Sequence, residues 1–137
     1  MFTSFLFFVT LMFGQQETTD LIVKEPWIRP GAKDMATAFY FNVVNNSDKA
    51  DTLYKAEFEL AGKVEIHETY KKDDMMGMRE VEYIVIPAKS EFNFKPGAHH
   101  IMLMKLKQDL LFGDENEITL YFKNSGEHKL KAKVKKN

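Results

Sequence analysis

Cysteine is missing from all 137 residues, and that absence alone removes disulfides, thiolate metal sites, cysteine nucleophiles and the thiolate-ligated copper centre of electron-transfer proteins. An excess of charge of either sign is missing too. Nineteen basic and twenty acidic residues give a formal net charge of -1, so no global field draws the chain to nucleic acid or to an anionic membrane. Catalytic signatures are also lacking: there is no Gly-x-Ser-x-Gly elbow, phosphate-binding glycine loop or His-Glu-x-x-His helix. The carboxylates are scattered, with none in an apolar run that would raise its pKa for proton transfer. The chain does not read as an enzyme.

Long apolar runs are limited to one. MFTSFLFFVTLMFG opens the chain and gives way to the polar QQETTD. Fourteen helical residues reach about 21 Å, short of the roughly 30 Å hydrocarbon core of a bilayer. The run therefore reads as a secretory signal peptide, expected over residues 1–19 with a cut after Gly14 as one candidate. A mature domain over 20–137, exported and not inserted in the membrane once the signal is gone, follows from that reading. No cysteine follows the run, so a lipid anchor attached through one is not available. A chain without thiols also loses nothing in an oxidising compartment.

From residue 20 onward, short runs rich in β-branched and aromatic residues alternate with turn residues, the spacing of an all-β sandwich or barrel. Strands are expected at Leu21 to Ile28, Met35 to Val44, Leu53 to Leu60, Lys63 to Tyr70, Val81 to Ile86, Glu91 to Phe94, His99 to Leu106, Glu117 to Phe122 and His128 to Val134. That is about nine. Arg29-Pro30-Gly31, Asn45-Asn46-Ser47-Asp48, Pro96-Gly97 and Asn124-Ser125-Gly126 supply turns, and the polar, Met-rich Lys71 to Gly77 reads as a loop. Near the C-terminus Lys129, Lys131 and Lys133 alternate with Leu130, Ala132 and Val134. One face packs and the other is solvated, as on a charge-protected strand.

Soft metal ligands are concentrated. Beyond the signal the chain has four His and six Met, and residues 67 to 104 hold three of the His and five of the Met. Thioether sulfur favours Cu(I), and imidazole binds copper in either oxidation state, so a His/Met set discriminates against Zn, Mg and Ca. His100 and Met102 are one residue apart in a β-type run and project from one face, with Ile101 and Leu103 turned to the core. His67 lies late in the strand before, and Met78 follows a glycine-containing stretch that can return a flexible thioether to the same place. Met76 and Met104 read as packing neighbours of that set. His99 is expected to face away from His100, His128 to be remote and solvated, and Trp27 to lie in the core.

The order His67, ten residues, Met78, twenty-one residues, His100, one residue, Met102 resembles the metal motif of the periplasmic copper chaperones called the PCuAC family. Met76-Gly77-Met78-Arg79, Ile86-Pro87-Ala88, Lys95-Pro96-Gly97, His100 to Met104 and Trp27-x-Arg29 followed by Ala36 to Asn45 resemble that family's text as well. The similarity runs over about residues 20 to 134. It implies a cupredoxin-like Greek-key β-sandwich. It also implies a monomeric, exported or periplasmic copper chaperone that holds one Cu(I) and passes it to a copper-accepting protein, either a cytochrome oxidase subunit or its assembly factor. Departures are Glu80 where the family usually has proline, Lys89 where glycine is common, and His99 at an aromatic position. No His/Met-rich tail follows Val134, so a second, copper(II) site is not expected. The competing readings are an electron-transfer cupredoxin, disfavoured by the missing thiolate, a binding or adhesion module whose Met and His only pack, and a copper oxidoreductase.

Overall fold

A computed structural model describes residues 20–136, which form ten β-strands and no helix. The signal expected over 1–19 lies outside the described residues. The strands are β1 (Leu21–Ile28), β2 (Thr37–Asn45), β3 (Asp51–Glu57), β4 (Ala61–Lys72), β5 (Met75–Val81), β6 (Ile84–Ile86), β7 (Ser90–Phe94), β8 (His100–Leu106), β9 (Glu115–Phe122) and β10 (Gly126–Val134). They are hydrogen-bonded in the order β5-β4-β8-β2-β1-β10-β9-β3-β6, with β7 pairing the later half of β2. All pairings are antiparallel except β1 with β10, where Trp27 meets Lys133 and Ile28 meets Val134. The non-consecutive neighbours are the crossovers of a Greek-key arrangement.

One core explains why this path curls over on itself. Ile66, Ile101, Leu103, Phe39, Phe41 and Phe94 from one half share a single buried cluster with Leu53, Ile86, Ile118, Leu120, Phe122 and Val134 from the other. Each fully buried aliphatic or aromatic side chain contributes about 1.5–3 kcal/mol of transfer free energy, enough in sum to fix which face of every strand turns inward. The period of two then turns the alternate residues outward. On β8, Ile101 and Leu103 are fully buried in the core, which turns His100, Met102 and Met104 to the other face.

The expected strands are present, with two corrections. Lys71 to Gly77 is not a loop: β4 continues to Lys72 and β5 starts at Met75, so the segment is the tip of a hairpin with Lys72 paired to Met75. Asp73 and Asp74 both have positive φ, 50° and 65°, the geometry of a tight two-residue turn whose twist matches the flanking strands. Asp tolerates this region better than most residues, and the polar composition hid the hairpin. The strand expected over Val81 to Ile86 is broken, its first residue ending β5 and its last three forming β6.

Candidate metal centre

The face of the sheet away from the core brings the four sequence-predicted ligands onto three adjacent strands. His67 on β4 is the direct cross-strand partner of His100 on β8, and the two imidazole centroids are 5.4 Å apart. Met102, two residues along β8, stands between Glu65 of β4 and Ala38 of β2. On the other side of β4, Met78 of β5 is paired with Thr69, two residues beyond His67 and on the same face. Met78, His100 and Met102 line a cleft of about 580 Å³ together with Met76, Thr69, Tyr40 and Arg29. His67 sits beside this cleft with its side chain 12% exposed.

The walls of the cleft are held in place. Lys95-Pro96-Gly97-Ala98 is a tight turn closed by the Ala98 N–H donating to the Lys95 carbonyl at 2.9 Å. Gly97 has φ 81°, the conformation that the third residue of such a turn requires and that glycine adopts freely. The Thr69 hydroxyl donates to the Ala98 carbonyl at 2.8 Å, tying β4 to the start of β8. Behind His100, the Tyr40 ring lies 6.3 Å away by centroid, and Trp27 packs on Tyr40 at 4.7 Å. Trp27 is therefore half-buried on the site's face of the sheet rather than in the core proper.

The hydrogen bonds around the imidazoles determine what those rings can do. His67 Nε2 lies 2.6 Å from Glu65 Oε2, and an ionised carboxylate only accepts, so Nε2 carries the proton. His100 Nδ1 lies 3.3 Å from the Ala98 carbonyl, which likewise only accepts. In its neutral form each ring therefore presents a bare lone pair on the remaining nitrogen, and those atoms, His67 Nδ1 and His100 Nε2, are buried with no hydrogen-bond partner. Burial is the main cause that pushes the His100 pKa below the usual imidazole value, and the neighbouring His67 and Arg29 push the same way against the Ala98 carbonyl. The ring is held neutral, as a metal ligand must be. The Glu65 carboxyl is held below its ordinary range by its hydrogen bonds to Lys63 and then to His67.

Among the described residues no group of three or more His, Cys, Asp or Glu is arranged to hold a metal ion. A metal here must draw on thioether sulfur, and Met78, Met76 and Met102 supply it at the cleft. That donor set fits a soft monovalent ion and does not fit Zn, Mg or Ca. Met76 is 65% and Met78 58% exposed, whereas Met102 is half-buried.

The remaining sequence candidates divide cleanly. Met104 lies opposite Lys63, farther along β8 than Met102. His99 faces away from His100, packing edge-on against Phe92 at 4.9 Å, with Nε2 3.9 Å from Glu68. His128 is not solvated as the sequence suggested. It is half-buried, edge-on to Phe122 at 5.2 Å, with Nε2 3.1 Å from the Ser125 hydroxyl, because its parity on β10 is that of Leu130 and Ala132, on the inward face. Sequence reasoning missed Glu65, Thr69, Tyr40 and the Ala98 carbonyl. The alternation Glu65-x-His67 on one strand face was the available signal for the first.

Comparison with known proteins bears on the family and the fold. The family model described as "Putative lipoprotein LpqE-like" matches residues 21–134. The uncharacterized protein RP573 of Rickettsia prowazekii (strain Madrid E) is 34% identical over an alignment of 115 positions that covers 80% of this chain and 64% of that protein. This chain thus spans less than two thirds of that relative. The "Putative lipoprotein Lxx21020" of Leifsonia xyli subsp. xyli (strain CTCB07) is 31% identical over 114 residues, 82% of this chain and 68% of its own length. Among solved structures, the apo PCuAC domain from PmoF1 matches at TM-score 0.72 and 28% identity over 86% of this chain and 95% of that one. The CuI form of DR1885 from Deinococcus radiodurans matches at TM-score 0.70 and 29% identity over 85% and 78%. The expected resemblance to PCuAC domains and the cupredoxin-like sandwich are both borne out.

Proposed function

The chain belongs to the LpqE-like family, and from that premise we propose that it is an exported copper chaperone, carrying one Cu(I) on His67, Met78, His100 and Met102. The observation that carries this reading is the pair of buried, unpartnered imidazole nitrogens, His67 Nδ1 and His100 Nε2, on rings 5.4 Å apart beside a cleft lined by thioethers. An unpaired buried acceptor costs about 1–3 kcal/mol. Two such atoms on neighbouring rings are accounted for together when one cation accepts both lone pairs. The CuI form of DR1885, which shares this fold at 29% identity, supports Cu(I) as that cation.

Release follows from the same placement. His67, His100 and Met102 sit on paired strands and anchor the ion, while the exposed Met78 thioether is the ligand that an incoming donor can replace first. Exchange of one neutral ligand at a time requires no proton transfer at sulfur and no change in the copper oxidation state. The chain's contribution is selective holding and handover, not turnover of a substrate. The names of the Leifsonia relative and of the family support a location at the cell envelope, with the periplasm as the compartment. The acceptor in this reading is a protein that takes up copper, a cytochrome oxidase subunit or its assembly factor.

Native mass spectrometry with and without Cu(I) tests the proposal. The expected result is one added copper per chain in the wild type and none in His100→Ala. A wild type that takes no copper, or an undiminished signal in His100→Ala, would sink it.

A further inference from the structure

We infer that Glu65 is the positioning residue that decides which nitrogen of His67 meets the metal, an inference that rests on the copper reading above and deepens it. Glu65 and His67 share one face of β4, and Glu65 stands directly opposite Met102 as His67 stands opposite His100. The Glu65 side chain is 9% exposed and its two oxygens are divided between two partners: Oε1 meets Lys63 Nζ at 2.8 Å and Oε2 meets His67 Nε2 at 2.6 Å. Burying a carboxylate costs free energy unless charge and hydrogen bonds compensate it, and here both compensations are present.

The consequence lies at the other side of the ring. In the alternative tautomer the Nε2 lone pair would face a carboxylate oxygen at hydrogen-bond distance, two acceptors in contact with nothing to share. Glu65 therefore disfavours that neutral tautomer, in which Nδ1 carries the ring's one proton and cannot bind a cation. Lys63, by holding the second oxygen, fixes the carboxylate that fixes the ring. A carboxylate behind a metal-binding imidazole also makes the ring a better donor, and losing such a partner typically weakens metal binding 10–100-fold. His100 has only a backbone carbonyl in the equivalent place, so the two imidazoles are positioned by different means, and a substitution at Glu65 acts on one of them alone.

The test uses the metal-free chain first. Long-range nitrogen–proton NMR at mildly alkaline pH, where imidazoles are neutral, reads the tautomer of each histidine. The wild type is expected to show His67 protonated at Nε2, and Glu65→Leu to show a mixture or the Nδ1–H form, with His100 and His128 unaltered as internal controls of the fold. Glu65→Gln, which keeps an acceptor oxygen, is expected to retain most of the wild-type preference. Cu(I) affinity by chelator competition should then fall about ten-fold or more in Glu65→Leu. An unaltered His67 tautomer and an unaltered affinity in Glu65→Leu overturn the inference. Should that variant fail to fold, Glu65→Asp is read the same way, because it withdraws the carboxylate by one methylene. A wild type that binds no copper defeats the copper reading but leaves the tautomer result standing. A wild type that binds copper with Glu65→Leu its equal defeats this inference alone.

Discussion

At the Asn45 end of β2 polar side chains are buried and every bond is closed, while at the Ala38 end they are buried and two bonds are left open. Asn45 is 1% exposed, donates to the carbonyls of Lys49, Ile86 and Pro87 and accepts from the Ser47 N–H. Asp51, 4% exposed, accepts from the backbone N–H groups of Thr52, Asn124 and Ser125. Burial by itself would raise the Asp51 carboxyl, but these donors outweigh it and hold the pKa below the ordinary value. His128 is part of that closed corner through Ser125. At the opposite end His67 Nδ1 and His100 Nε2 have no partner. The third unpartnered buried atom among the described residues, Asn116 Nδ2, is a donor and cannot bind a cation. A closed polar corner maintains a fold. An open one costs stability, and that difference separates the proposed binding end from the structural end.

The widest separation between the two ends should appear in a pair of variants measured with and without copper. A ligand that binds only the folded state adds about 2.7 kcal/mol at one hundred times its Kd, so saturating Cu(I) should raise the wild-type Tm by several degrees or more. His100→Ala is expected to lose that increment while its metal-free Tm changes far less than the increment itself. Asp51→Ala is expected to do the reverse. It leaves three backbone donors without an acceptor and should lower stability by about 3 kcal/mol, yet retain the full copper increment once folded. Differential scanning fluorimetry of both variants reads the result. A copper increment that survives His100→Ala would erase the distinction between the two ends.

A smaller effect tests how the exposed thioethers are held. Gly77 lies between Met76 and Met78, and a Cβ there would fall 2.6 Å from the Tyr70 ring. The Arg79 guanidinium covers that ring at 4.9 Å and pairs with Glu68, so the back of the hairpin is braced by a stack that needs a hydrogen at position 77. Gly77→Ala should push the exposed Tyr70 ring aside at little cost in stability, and shorten the lifetime of bound copper by shifting Met78. Stopped-flow transfer to a Cu(I) chelator measures that lifetime. A rate equal to the wild type would show that Met78 does not depend on the brace.

How much of this was legible beforehand depends on which physical signal each feature leaves in one dimension. The β-class, most strand positions and the common face of His100 and Met102 follow from a period of two, which is local and survives in the sequence. The hairpin at Asp73-Asp74 was not legible, since two aspartates after two lysines read as solvated loop whether or not their φ values are positive. The inward turn of His128 was missed although the alternation that turns Leu130 and Ala132 inward applies to it as well: it stands between the charged Glu127 and Lys129, next to a turn. Glu65 was hidden because its partners Met102 and Lys63 are set by register and rotamer, neither of which composition encodes. The spacing of the proposed ligands was visible, but an unpartnered lone pair exists only in three dimensions.

The slightest of the expected effects concerns acid, and it distinguishes the ends by how they respond to protons. Burial lowers the pKa of both His100 and His128 below the ordinary imidazole value, with Asp51 partly opposing this at His128. A histidine kept neutral by the fold contributes its full stability above the unfolded value near 6.5. As pH falls below that value the unfolded chain takes up a proton that the folded chain resists, so stability declines until the lowered folded pKa is passed. Asp51 shares this sign but acts lower, its contribution being lost as pH falls below about 3.9. Between about pH 7 and pH 5 the metal-free protein should therefore lose a modest part of its stability, and His128→Leu, which keeps the packing on Phe122, should lose less. Copper should change the slope at one end only. At the proposed site protons compete with Cu(I) for the lone pairs of His67 and His100, so the copper-loaded protein should show a steeper decline over the same interval, and His128→Leu should show the same steepening. Urea unfolding at several pH values, with and without Cu(I), measures all four slopes. If copper left the slope unaltered, the metal would be held without imidazole, and the open nitrogens would need another occupant.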